Sequence, residues 1–155
     1  MNMILFIGIQ ATGKSEFCKR NFYKTHIRIN LDMLRTRYRE GILVEACFRG
    51  KQPFVVDNTN LTAAVRQVYI EEARKQGFEV IGYYFKSAIE DAISRNSLRE
   101  GKEKLPLAAI RSAHAKLELP SFDEGFDKLF YVHIDNGDFV VEKFQNEICD
   151  GEVPE

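Results

Sequence analysis

The segment Gly8-Ile9-Gln10-Ala11-Thr12-Gly13-Lys14-Ser15 constrains this chain more than any other. It spells G-x-x-x-x-G-K-[ST], with an apolar run at residues 3–7 before it and a helix-capable stretch at 15–22 after it. Strand, glycine-bracketed loop and helix together make a cradle for phosphate. Gly8 and Gly13 let the backbone turn sharply and approach an anion. The N–H groups from Ala11 to Ser15 and the helix N-terminus then point at it. Lys14 is expected to reach the β- and γ-phosphates and the Ser15 hydroxyl to ligate Mg²⁺. The ligand implied is a nucleoside triphosphate with Mg²⁺.

Beyond this loop, strand and helix signals alternate. Short apolar runs at 26–29, 53–57, 78–85 and 128–134 read as further strands. Helical patterns fall at 30–39, 42–48 (after a break at Gly41), 62–76, 87–98 and 107–119. Thr62 and Ser87 are expected N-caps, Gly77 an expected C-cap and Pro120 a stop. Asn136-Gly137 signals a turn, and the segment from there to residue 148 fits either a hairpin return or a terminal helix. Five strands separated by helices predict an α/β fold, a five-stranded parallel sheet with helices on both faces. The 155 residues are expected to form one domain, 1–155.

In such a fold ligands sit beyond the carboxyl ends of the strands. After the second strand comes Asn30-Leu31-Asp32-Met33-Leu34-Arg35. Asp32 there can accept a proton from an attacking hydroxyl, and Arg35, three residues on, can grip an anionic acceptor. The plainer reading is a helix cap beside a solvated arginine. After the third strand comes Asp57-Asn58-Thr59-Asn60, where a carboxylate can help hold Mg²⁺ or merely shape a turn. After the fourth strand and its helix come Arg95 and Arg99, four apart, before a charged loop running from Gly101 to Pro106. That composition suits a lid that brings arginines onto phosphates, or a solvated face balanced by Glu100 and Glu103.

The net charge of −1 argues against a broad electrostatic footprint for duplex nucleic acid. Any nucleic-acid contact must be local, a few arginines around one strand end. Cys18, Cys47 and Cys149 are odd in number and scattered, which predicts reduced thiols and a cytoplasmic location. The apolar start lacks a basic flank and a cleavage-site pattern, and no run is long enough to span a membrane.

With these residues placed, the chain resembles the 5′-kinase domain of polynucleotide kinases, P-loop enzymes that phosphorylate 5′-hydroxyl ends. The resemblance runs from residue 3 to about 132. Its blocks are Gly8 to Ser15, Ile29 to Arg35, Val55 to Asn60, and Arg95-Asn96-Ser97-Leu98-Arg99, with Pro106 and Arg111-Ser112 beyond. It implies a P-loop kinase fold with an arginine-bearing lid and transfer from ATP to the 5′-hydroxyl of single-stranded RNA or DNA, in end repair or processing. It casts Asp32 as general base, Arg35 as the grip on the acceptor phosphate, and Arg99 with Arg95 as contacts to the donor phosphates. Leu31 departs from the pattern, because the phage-type enzyme has an arginine there, so polynucleotide affinity is expected to be lower. Nothing matches the Asp-x-Asp-x-Thr phosphatase motif, so a kinase alone is expected. The alternatives are a P-loop kinase for a sugar, nucleoside or antibiotic hydroxyl, and a non-catalytic ATP-binding module.

Overall fold

In the computed structural model, residues 1–145 are described. Six strands form one sheet: β1 (Asn2–Ile7), β2 (Ile27–Ile29), β3 (Phe54–Val56), β4 (Glu79–Phe85), β5 (Lys128–Asp135) and β6 (Asp138–Lys143). Their order is β2-β3-β1-β4-β5-β6. The first five run parallel and β6 pairs antiparallel with β5. The α/β fold around a parallel sheet is therefore as expected, with one strand more than the five predicted. Asn136 and Gly137 both take positive φ, 51° and 81°, the two-residue turn that matches strand twist. The chain returns as a hairpin, with Asp135 opposite Asp138. Cys149 and the acidic end lie outside the described residues.

Alternation along β1 explains the two-sided core. Met3, Leu5 and Ile7 face one layer, packing with Phe48, Phe54, Ile70 and Tyr84. Ile4 and Phe6 face the other, with Phe17, Cys18 and Phe85. A sheet buried on both faces needs apolar residues at successive positions, which is what residues 3–7 of β1 and all of β3 supply. The helices that cover it are α1 (Lys14–Phe22), α2 (Leu31–Leu34), α3 (Arg37–Arg49), α4 (Ala63–Lys75), α5 (Ile89–Ser97) and α6 (Leu107–Lys116). Cys18 and Cys47 are buried free thiols, and burial pushes the Cys18 thiol up to about 11.

Several local expectations are corrected. The predicted helix at 30–39 is broken: α2 is one turn, Arg35 leaves it at φ 77°, and Thr36 caps a new helix by accepting from Arg39 N–H at 3.1 Å. Gly41 lies inside α3 rather than before it, in open space where a missing side chain costs no contact. Thr62 caps α4 as expected. Ser87 does not cap α5. Its hydroxyl donates to Phe85 C=O at 2.8 Å and accepts from Ile9 N–H at 3.1 Å, tying β4 to the phosphate loop.

The hairpin also closes on that loop. Gly13 has φ 93°, and a Cβ there would stand 2.9 Å from Cε1 of Phe139 on β6. Gly13→Ala should therefore incur about 1–2 kcal/mol of left-handed strain and an overpacking cost of about 1–3 kcal/mol. Thermal unfolding should show Tm lowered by roughly 5–15 °C. An unchanged Tm would mean that the ring and the loop yield freely.

Candidate active site

The loop between β1 and α1 is held from below before any ligand is considered. Gly8 N–H donates to Thr59 C=O at 3.0 Å, and the Asn60 amide donates to Phe6 C=O at 2.7 Å. Asn60 C=O in turn accepts at 2.8 Å from Arg66, a fully buried guanidinium doubly bonded to Glu124. Gly8 is also crowded, though less than Gly13: a Cβ would meet Phe85 C=O at 3.1 Å and Ser87 Oγ at 3.2 Å, and its φ of 153° is one that side chains rarely adopt. Ala11 adopts φ 62°, so the loop curls around its own N–H groups. Thr12 Oγ1 donates to Ile9 C=O at 2.9 Å, bracing that curl.

Lys14 is buried at the first residue of α1, and its ammonium donates to Gly8 C=O at 3.0 Å and Ile9 C=O at 2.6 Å. Burial pushes the ammonium down to about 8; the charges of Asp57 and Asp32 oppose the shift and Arg99 adds to it. Three side chains from three distant segments thus act on one cation. The protonated form is the one that binds phosphate oxygens. Raising the pH from 7 to 9 carries Lys14 through its midpoint, so nucleotide affinity should fall about tenfold. Titrating a fluorescent ADP analogue across that range checks this, and a flat profile would contradict it.

Asp57 follows β3 and is 2% exposed. Ser15 Oγ donates to its Oδ2 at 3.0 Å. A hydroxyl and a carboxylate in contact, beside the loop and its lysine, are hard oxygen donors suited to Mg²⁺. No group of three or more His, Cys, Asp or Glu suited to a metal occurs among the described residues. Mg²⁺ at such sites uses one or two carboxylates and takes the rest of its shell from phosphates and water, so the pair suffices. Sequence reading missed Arg28: from β2 its Nε donates to the same Asp57 oxygen at 2.8 Å and its Nη2 to Ser15 Oγ at 3.1 Å.

Asp32 is exposed at the end of β2, in the short helix α2. Its turn is fixed from two sides. Asn30 accepts from Met33 N–H at 2.9 Å and donates to Asp57 C=O at 2.6 Å. Asn58 accepts from Leu31 N–H at 2.8 Å and donates to buried Glu40 at 2.8 Å. Arg35 does not share a helix face with Asp32, because it lies past the turn in a left-handed conformation. That backbone costs on the order of 1–3 kcal/mol, and such strain clusters where a side chain must be aimed. Its N–H bond to Leu31 C=O, 2.7 Å, and the Thr36 cap hold it there.

Arg95, in the last turn of α5, donates to Ala11 C=O at 3.3 Å, so it touches the phosphate loop. Arg99 lies beyond the helix end, where its Nη1 meets Glu103 C=O at 3.4 Å. Between them Asn96, buried, clamps the segment after the helix through both ends of its amide, to Leu105 C=O at 2.7 Å and Leu105 N–H at 2.8 Å. The sequence marked the arginines by their charge and passed over the amide that sets their frame. Apart from this site, a cavity of about 750 Å³ lies between α3 and α4, lined by Val44, Phe48, Val65 and Tyr69 among others.

A family model described as an AAA domain matches residues 3–120. The chain belongs to that family. The match takes in the phosphate loop, Asp32, Arg35, Asp57, Arg95 and Arg99, and leaves β5 and β6 outside. A curated relative is the bifunctional polynucleotide phosphatase/kinase of Schizosaccharomyces pombe, 24% identical over 128 residues. The alignment covers 80% of this chain, which spans 31% of that protein's length. Among solved structures, Chaetomium thermophilum Kti12 in complex with ADP-AlF3 superposes with a TM-score of 0.66 at 16% identity, over 86% of this chain and 90% of that one. A gluconokinase from Sinorhizobium meliloti 1021 gives 0.58 at 18%, over 85% and 82%. At these identities the likeness is one of fold. The AAA domain here has a P-loop kinase fold, and no helix among its described residues is long and apolar enough to cross a membrane.

Proposed function

We propose that this chain transfers the γ-phosphoryl group of ATP to the 5′-hydroxyl of an RNA or DNA strand. One observation carries the reading: Arg95 reaches Ala11 C=O at 3.3 Å, Ser15 meets Asp57 at 3.0 Å, and Asn30, two residues before Asp32, donates to Asp57 C=O at 2.6 Å, so lid, cradle and the turn that bears the base converge on the phosphate loop. The match to a polynucleotide phosphatase/kinase over most of the chain supports the choice of acceptor.

In this reading the acceptor oxygen attacks the γ-phosphorus, the bond to the β-phosphate oxygen breaks, and ADP leaves. Asp32 takes the hydroxyl proton. Lys14 and the loop N–H groups hold the β- and γ-phosphates, while Arg99 and Arg95 neutralise charge on the transferring group. Ser15 and Asp57 would hold Mg²⁺, which supplies charge neutralisation to the phosphates when bound. Arg35 grips the acceptor's own phosphate. Arg35→Ala should therefore raise the acceptor KM by roughly tenfold or more, the worth of a charge-assisted pair. The KM for ATP should stay nearly constant; a parallel rise in both would place Arg35 on the donor instead.

A second reading, a kinase for a small hydroxylated molecule, draws on Leu31 in place of an arginine and on the near-neutral net charge. A gluconokinase shares the fold. Incubation with γ-labelled ATP, a 5′-hydroxyl oligonucleotide and a panel of sugars and nucleosides separates the two. Label in the oligonucleotide supports the first reading, and label confined to a small molecule supports the second.

A further inference from the structure

We infer that Arg28 is a built-in counter-charge of the Ser15–Asp57 pair and competes with the divalent cation for it. The inference rests on that pair being the metal site proposed above. Arg28 lies in β2, a three-residue strand at the edge of the sheet. Its neighbour Ile29 is buried in the core, and Arg28 sends its guanidinium to the site instead.

The contacts close a triangle. Asp57 Oδ2 accepts from Arg28 Nε at 2.8 Å and from Ser15 Oγ at 3.0 Å, and Ser15 Oγ accepts from Arg28 Nη2 at 3.1 Å. A carboxylate 2% exposed has little water to balance its charge, so the guanidinium does so. Mg²⁺ needs the same lone pairs at about 2.0–2.1 Å. A divalent cation there would also face an adjacent guanidinium in a partly dry site, where like charges repel strongly. The two cations therefore exclude each other. The Arg28 side chain is 37% exposed, which gives it a route out towards solvent. Nucleotide phosphates favour the exchange, because they add ligands for the metal that Arg28 alone does not provide. The device makes metal binding depend on nucleotide, since the divalent ion must displace a resident cation.

Mn²⁺ binding to the whole chain, followed by electron paramagnetic resonance at saturating ADP, tests this without reference to turnover. Arg28→Gln, which removes the charge, should bind Mn²⁺ about tenfold tighter than the wild type. Arg28→Lys, which keeps the charge, should stay within about threefold. Arg28→Met serves the same purpose should the glutamine variant fail to fold. Equal or weaker Mn²⁺ binding in the charge-free variants would overturn the proposal and make Arg28 a support for Asp57. Asp57→Asn separates the two levels. If it leaves Mn²⁺ binding unchanged, the metal pair itself is misassigned. If it abolishes binding while Arg28→Gln brings no gain, only the competition fails.

Discussion

Asp32→Ala is expected to lower turnover by roughly 10²–10⁴, the usual worth of a positioned general base, with nucleotide affinity retained. The split comes from where the residue sits. Asp32 is exposed and has a charge felt at Lys14, yet its turn is held by Asn30 and Asn58 rather than by its own carboxylate. Removing the carboxylate should therefore leave backbone and phosphate loop intact. Measuring kcat beside the Kd for ADP reads both halves. Undiminished turnover would remove Asp32 from the chemistry, and a matching loss of ADP affinity would make it part of the cradle.

Lys14→Met should lower turnover by more than roughly 10², since one preorganised donor at the reacting phosphate is worth about that much. Stability should move the other way or not at all. The Lys14 ammonium is held at about 8, below its usual 10.5, because burial penalises the charge. A group with a depressed folded-state value opposes folding while protonated in both states. The penalty is in full force below about 8 and relaxes as pH rises towards 10.5. Methionine fills the same space without the charge, so Tm at pH 7 should equal or exceed that of the wild type. A dead enzyme with lowered Tm would show instead that the bonds to Gly8 and Ile9 carbonyls outweigh the cost of burying the charge. The trade fits a residue kept for function against stability.

Much of the fold, and the candidate site as proposed, could be read from the chain because the signals are local. The phosphate loop is eight consecutive residues, and the rule that ligands lie past strand ends turned Asp32 and Asp57 into candidates. Asp57 meeting Ser15, and Arg95 reaching Ala11, agree with that rule. What escaped depends on pairing between strands. Arg28 sits between two isoleucines in a short apolar run, and only the alignment of β2 with β3 brings it to Asp57. Ser87 carries every mark of a helix cap, but the close approach of β4 to the phosphate loop gives its hydroxyl better partners. The break at Arg35 has no glycine or proline to announce it; the Thr36 cap and the network through Asn58 and Glu40 impose it. The turn was legible in Asn136-Gly137, but the sequence left a hairpin and a helix open after it, and the packing of the returning strand on Gly13 was not legible.

The most direct test is single-turnover transfer from γ-labelled ATP to two oligonucleotides alike except at the 5′ end, one hydroxyl and one phosphate. The account predicts label on the hydroxyl strand alone, and little label there when Asp32 is replaced by asparagine. Label on neither strand, or equal label on both, would contradict it.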